Sequence, residues 1–577
     1  MAARQTRAKK SKGSSSSRGR STTIPTSFDP RGRLSFILLA FLFIAAVLAL
    51  RLVWLTIIAG PGNAEKAQAT RTISIELPAK RGTIYDRNGV VLATSVDAMT
   101  IYCNPFEVTD VAGESAQLAA ILGGNSTDYI DVLSTPDTSF AYVYRKAEMD
   151  LAEKVKSLEL DGIYMLEDSK RVYPSGRTGG QVVGICDVDG NGLSGLELYY
   201  DDLLGGENGS INMERGANGY PIAGGTNEHI SPRDGEDIVI SIDLEMQEFL
   251  ENRLAQCVND IQGKSGNAVL YDGGTGEIIA IASTPFLNPS DRDHIKEGAT
   301  ELKSITTAFE PGSIFKTVSA SAILEEGVMQ TTDKVFCPAA LPADEYFVTD
   351  AHDRGDETMT FRQIIQNSSN VGISLSTEKM GFDKLYQYIN KYELNEPTGV
   401  DYPGESAGFC ADVSDWSHIQ SYNVSFGQGI TVTPLQMARF YGSLVNEGVA
   451  CTPHLLLSKP QTGEIPEYPT KQFIENTDAI EPLTSMLKSV VEEGTGMDAQ
   501  IDGFSPAGKT GTAEYASGDG TYVVGSYNIS FVGYLPNTNS KLVCFVGVSE
   551  VPGDRITTPA FSDIMSYAIE HYRIATQ

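Results

Sequence analysis

The sequence predicts a chain in three parts: one apolar membrane helix, a strand-and-turn module, and an α/β domain whose sheet is drawn from its two ends. Three observations carry that reading. An uncharged run, Leu34–Leu50, follows a basic head. Short β-like runs punctuated by turn residues fill the stretch from 60 to about 235. From about Glu236, strand patterns open and close a region that is otherwise helical. At 577 residues the chain is too long for one core.

Residues 1–33 hold nine Lys/Arg against the single acid Asp29 and include SKGSSSSRGRSTT, so they read as a disordered tail. The apolar run continues past Arg51 through LVWLTIIA, which makes residues 34–59 long enough to span a bilayer. Arg51 can snorkel and Trp54 can sit at the interface. A cleaved signal peptide is the competing reading, but the stretch exceeds an ordinary signal core and no small-residue cleavage site follows closely. The positive-inside rule places 1–33 in the cytoplasm and the chain beyond about 60 outside. The chain carries −30 overall and −38 without its head, an acidity that excludes nucleic acid as a partner. Seven scattered cysteines without CxxC, and six isolated histidines without HExxH, point to neither a metal nor a disulfide framework, and no cofactor is expected.

In residues 60–235, Arg81–Ser95 reads as two strands around the Asp86-Arg87-Asn88-Gly89 turn, and Gly192–Gly206 as a helix closed by glycines. No catalytic chemistry is visible there, so a spacer or docking module is expected. In residues 236–577, DIVISIDLEMQEFLENRL gives a strand and an amphipathic helix, and GNAVLYDGGTGEIIAIAST two strands about a glycine turn. Tyr527–Leu535 and Leu542–Val548 read as strands and Phe561–Ile574 as a closing helix.

Three motifs together carry the chemistry: S-x-x-K, S-x-N and K-T-G. S-x-x-K occurs three times, at Ser313/Lys316, Ser376/Lys379 and Ser485/Lys488. Only Ser313 follows a turn, Glu310-Pro311-Gly312, that can open a helix, where unpaired N–H groups favour developing negative charge. The spacing puts Lys316 on the same face, and a desolvated lysine can act as base for the serine. The other two pairs read as surface residues of ordinary helices. S-x-N is less specific still and recurs along the chain. Ser368-Ser369-Asn370 is chosen for its order and for its place between helices, where Ser368 can relay a proton and Asn370 can bond a substrate amide and Lys316. K-T-G occurs once, at Lys509-Thr510-Gly511 with Thr512 following. Lys509, Thr510 and Thr512 suit a carboxylate ligand, Gly511 lets a substrate backbone approach a strand, and the N–H groups of Ser313 and Thr512 would form an oxyanion hole.

With these motifs in place the chain resembles class B penicillin-binding proteins over nearly everything after residue 30. KRGTIYDRNG (Lys80–Gly89) and RVYPSG (Arg171–Gly176) look like that family's pedestal. TGEIIAIASTPFLNP, FEPGSIFKT, SFGQGITVTPLQMA and AGKTGTAE look like its transpeptidase domain. The resemblance implies a penicillin-binding/β-lactamase-like fold, an antiparallel sheet flanked by helices, on an elongated α+β pedestal. It implies cross-linking of D-Ala-D-Ala stem peptides of peptidoglycan through a Ser313 acyl-enzyme, with β-lactams as covalent inhibitors. Gly184–Gly206 and SFGQG look more like the division-specific branch. That branch implies septal wall synthesis beside a shape-elongation-division-sporulation glycosyltransferase and other divisome membrane proteins. No glycosyltransferase domain or C-terminal repeat is expected within the sequence. A D,D-carboxypeptidase, a β-lactam-hydrolysing or sensing protein, and a non-catalytic divisome scaffold remain open at this point.

Overall fold

A computed structural model describes residues 30–60, 72–214, 227–516, 522–553 and 555–577. The basic tail up to residue 29 lies outside them. Pro30–Val53 is an α-helix that runs into a π-helical turn, Trp54–Ile58. Its apolar span, Leu34–Ile58, is 25 residues long, and its side chains are exposed throughout, as a lipid-facing helix requires. The Arg51 guanidinium lies 4.6 Å from the Trp54 ring centre, a cation–π contact.

In the strand-and-turn module, Ile84–Tyr85 pairs antiparallel with Val91–Cys103. The turn forms because the Asp86 carboxylate accepts from the N–H groups of Asn88 (2.8 Å) and Val90 (2.7 Å), while Gly89 takes φ +83°. Val91–Cys103 is flanked by Ala141–Glu148 and Ile163–Val172. Helices Val111–Leu122, Ser126–Leu133 and Met149–Lys156 close a small core around Ile101, Leu118 and Val155. Gly192–Gly206 is not one helix. It is two short ones, Gly195–Tyr199 and Asp201–Gly205, broken at Tyr200 and ended by Gly206 at φ +68°. Two demands on side chains account for the break. Tyr200 donates to Asp401 (2.7 Å), and the fully buried Glu197 accepts from Arg81 Nε (2.5 Å) and Arg171 Nε (2.7 Å). KRGTIYDRNG and RVYPSG therefore meet on one carboxylate. Ile238–Ile240 lies parallel to Ile84–Tyr85 and antiparallel to Leu456–Ser458, which joins the module to the α/β region.

The large sheet has five strands in the order Ile278–Ser283, Ser265–Asp272, Leu542–Pro552, Tyr522–Tyr534, Ala507–Ala516, each antiparallel to its neighbour. Its strands come from the two ends of the region, as the pattern predicts. Both faces are covered, so the strands read as nearly continuous apolar runs. Cys544 and Val546 face helices Leu244–Asp260 and Thr558–Tyr572. Val543 and Phe545 join the opposite core with Val318, Tyr441 and Leu487, from helices Lys316–Glu325, Pro434–Val445 and Ile480–Glu492. All seven cysteines are free, and all but the half-buried Cys410 are buried. Ala507–Ala516 is an edge strand, and its open side borders a cleft.

Candidate active site

The cleft has a volume of about 840 Å³ and is lined by Ser313, Ser368, Asn370, Thr510, Gly511 and Thr512 among others. The segments predicted to carry chemistry therefore converge. Ser313 lies in a 3₁₀ turn, Gly312–Phe315, and the α-helix proper starts at Lys316. That is three residues later than the sequence reading placed it. A 3₁₀ turn has three residues per turn, so Ser313 and Lys316 stand in line. The turn is held from two sides. Gly312 has φ +56°, and a Cβ there would lie 2.7 Å from the Thr512 carbonyl oxygen. Gly427, of the SFGQG segment, accepts from Gly312 N–H at 2.9 Å.

Lys316 is 0% exposed. Its amine donates to the Ser368 carbonyl (2.6 Å) and to Asn370 Oδ1 (2.7 Å), and lies 3.2 Å from Ser368 Oγ. Burial pushes it down to about 7, against the raising influence of Asp350. Lys509 is also 0% exposed, donating to Ser368 Oγ (2.9 Å) and to the Thr510 carbonyl (3.2 Å). Burial, and the charge of Lys316 behind it, hold Lys509 well below the ordinary lysine range. Two buried amines thus share one hydroxyl and cannot both be charged at little cost. Neither amine opens to the cleft wall, so Lys509 meets the site through Ser368.

Ser368 sits at φ +58°, left-handed backbone that a serine adopts only when its surroundings impose it. That geometry turns its carbonyl onto Lys316 while its hydroxyl reaches both lysines. Asn370 cannot flip, because its amide nitrogen donates to the Thr349 carbonyl (2.9 Å), leaving Oδ1 for Lys316. Asp350 fixes the loop from below. It accepts from Ser369 Oγ (2.8 Å) and Val371 N–H (3.0 Å) and pairs with Arg354 (2.6 Å). Sequence reading missed Asp350, since nothing local marks an acid nineteen residues ahead of Ser369. It also missed Thr495, whose hydroxyl lies 2.6 Å from that of Thr510.

Two readings need correction. Ser376 is buried rather than at the surface; its helix is packed on that side, and the hydroxyl bonds back to the Gly372 carbonyl at 2.7 Å. Ser485, read as a surface residue, is half-buried and accepts from Arg362 at 3.0 Å. At Gly511 the space a Cβ would need is filled by Ser530 Oγ (2.2 Å) and Ile314 (3.0 Å). The close approach this glycine permits is therefore that of the Ser313 turn onto the strand. Among the described residues, no group of three or more His, Cys, Asp or Glu could hold a metal.

Two known domains match the sequence: the penicillin binding protein transpeptidase domain over residues 266–566, and the penicillin-binding protein dimerisation domain over 76–240. Stage V sporulation protein D of Bacillus subtilis is 30% identical over 534 residues, covering 91% of this chain and 82% of its own length. The peptidoglycan D,D-transpeptidase FtsI of Escherichia coli is 30% identical over 546 residues, covering 92% and 89%. A crystal structure of penicillin binding protein 3 from Mycobacterium tuberculosis with aztreonam superposes at a TM-score of 0.68 and 25% identity, covering 87% of this chain and 98% of that one.

Proposed function

The chain belongs to the penicillin-binding proteins that join a dimerisation domain to a transpeptidase domain, and from that premise we propose that Ser313 is the nucleophile of its peptidoglycan D,D-transpeptidase reaction. One observation carries the assignment: a fully buried Lys316 whose amine is held by two obligate acceptors, the Ser368 carbonyl and Asn370 Oδ1. A neutral amine has two N–H bonds. Both go to those acceptors, and the lone pair is left for a serine proton.

Ser313 Oγ attacks the penultimate D-Ala carbonyl of a stem peptide and Lys316 takes its proton. The N–H groups of Ser313 and Thr512 hold the oxyanion. Ser368, between the two lysines, passes a proton to the leaving amine, and Lys509 keeps that hydroxyl oriented. Terminal D-Ala departs, and an amine of a neighbouring stem then takes the acyl group. Asn370, Thr510, Gly511 and Thr512 line the substrate's place, the threonine hydroxyls meeting its carboxylate. A β-lactam acylates the same serine and stays.

The organisation that goes with this is a tail over 1–33, an anchor over 34–59, a pedestal over 60–235 and a catalytic domain over 236–577. The basic head supports a cytoplasmic N-terminus and an extracytoplasmic catalytic domain, anchored by a single pass. The septal role, beside a shape-elongation-division-sporulation glycosyltransferase and other divisome membrane proteins, is supported by likeness to FtsI. Labelling with fluorescent penicillin tests the nucleophile. Wild type, Ser376→Ala and Ser485→Ala should label and Ser313→Ala should not. Label retained by Ser313→Ala would remove it from the mechanism. Rapid turnover of the bound penicillin would favour a hydrolase instead.

A further inference from the structure

Among the described residues, none from the strand-and-turn module lines the cleft, whose walls begin with Ser313. The module nevertheless grips the segment that delivers that serine. Its short helix Gly180–Val183 is buried along its whole length. A Cβ on Gly180 would lie 2.3 Å from the Leu287 carbonyl oxygen, so this helix sits directly against the α/β region. The Gln181 side chain is 5% exposed. Its Oε1 accepts from Ser283 N–H (3.0 Å), and its Nε2 faces the carbonyls of Pro285 (3.2 Å), Ala299 (3.1 Å) and Glu301 (3.0 Å). A donor on one side and carbonyls on the other fix the orientation of the amide. Tyr402 donates to the Gln181 carbonyl at 2.8 Å and holds the residue from behind.

These bonds tie together the two ends of a long connection. Thr284–Leu302 holds only the 3₁₀ turn Arg292–His294, so its order comes from bonds to its surroundings. The connection leaves Ile278–Ser283, the outer strand of the five-stranded sheet. Two glutamines close the free edge of that strand. Gln247 exchanges a pair of 2.8 Å bonds with Ile281, and Gln181 takes Ser283. Beyond Glu301 the chain makes the one-turn helix Lys303–Thr306. There Ser304 N–H donates to Ser283 Oγ and the Ser304 hydroxyl to the Ala282 carbonyl, both at 3.0 Å. Phe309 then pairs with Val432 in both directions (2.9 and 3.0 Å), and the chain enters the Gly312–Phe315 turn. The lead-in to Ser313 is thus held at its far end by a side chain of the module.

We propose that Gln181 is a positioning residue for acylation: its amide fixes the lead-in Ala299–Gly312, and through it the approach of Ser313 Oγ to the acyl carbon. The proposal rests on the reading of Ser313 as the nucleophile. Gln181 lies outside the cleft and bonds to none of the residues that line it. Without its amide, three carbonyls and the Ser283 N–H lose a partner, and they regain one only if the lead-in moves. The bonds at Gly427 and Val432 remain, so Ser313 is displaced rather than released. A misplacement of about 1 Å costs about a hundredfold in rate; with those bonds intact a loss of about tenfold is expected.

The test is the second-order rate of fluorescent-penicillin labelling per folded molecule, measured on the full-length protein in detergent between pH 5 and pH 9. Gln181→Met keeps the length of the side chain and removes its bonds. Its plateau rate should fall about tenfold, while the pH midpoint set by Lys316 stays at the wild-type position. Gln181→Asn carries the same amide one methylene short of serving both ends, so its rate should lie between the two. It also carries the comparison if the methionine variant does not fold. Glu197→Gln weakens the same module away from the lead-in and should label like wild type per folded molecule. Wild-type plateaus in both Gln181 variants overturn the proposal. So does an equal fall in Glu197→Gln, which would make the loss a general effect of a weakened module. A midpoint that moves with the plateau overturns it as well, by placing the damage at Lys316, and so does failure of both Gln181 variants to fold. Wild-type protein labelled on a residue other than Ser313 overturns the nucleophile reading instead.

Discussion

Acylation of Ser313 should follow the titration of Lys316. Burial sets the size of the pH effect. Lys316 lies at about 7, whereas an exposed lysine lies near 10.4. At pH 7.5 roughly three-quarters of the molecules hold a neutral amine, against about one in a thousand for an ordinary lysine. The base form is lost as pH falls, so the rate should drop about tenfold per pH unit below the midpoint and level off above about pH 8. Asp350 is the charge that opposes burial at Lys316, so Asp350→Asn should move the midpoint to lower pH. The assay is the second-order rate of fluorescent-penicillin labelling between pH 5 and pH 9, with Ser313→Ala as the blank. A rate that stays flat down to pH 5, or a midpoint above pH 9, would refute neutral Lys316 as the base.

Further outcomes rest on the same geometry. Burial places the Lys316 pKa below its unfolded value, so the folded state binds fewer protons and loses stability as pH falls from about 10.4 towards about 7. Lys316→Met escapes that loss, and between pH 10 and pH 7 its stability relative to wild type, from chemical denaturation, should shift by about 3–4 kcal/mol in its favour; a gap independent of pH would contradict the burial. Gly312→Ala must leave φ +56° or collide with the Thr512 carbonyl. It should cost about a hundredfold in labelling rate with little change in circular dichroism. Glu197→Gln leaves Arg171 without its charge partner and Arg81 with Asp201 alone, and should destabilise by about 3–5 kcal/mol in denaturant titration, with labelling per folded molecule unchanged.

The site was more legible in the sequence than its supports were. Ser313, Lys316, Ser368, Asn370 and Lys509 stand in motifs whose spacing is set by local turns, and those turns are written in adjacent residues such as Glu310-Pro311-Gly312. The five-stranded sheet was legible because burial on both faces leaves apolar runs such as LVCFVGV. Asp350 and Thr495 were not, because each acts across a gap that only the folded chain closes. The split of Gly192–Gly206 at Tyr200 was hidden for the same reason. Its local propensity is helical, and the pull on Tyr200 comes from Asp401, 201 residues away. Ser376 misled because a helix shows in sequence which residues it has, but not how many of its sides are covered.

The Ala507–Ala516 edge has one further consequence. An extended peptide that adds itself to this strand cannot slide continuously, because backbone pairing allows only whole-residue steps of about 3.4 Å. A slip of one residue turns every side chain to the opposite face. It also carries the scissile carbonyl about 3.4 Å from where Ser313 waits, beyond the reach of attack. On the proposed mechanism the edge would act as a ruler, measuring the substrate from its carboxyl end and bringing a single bond to the serine.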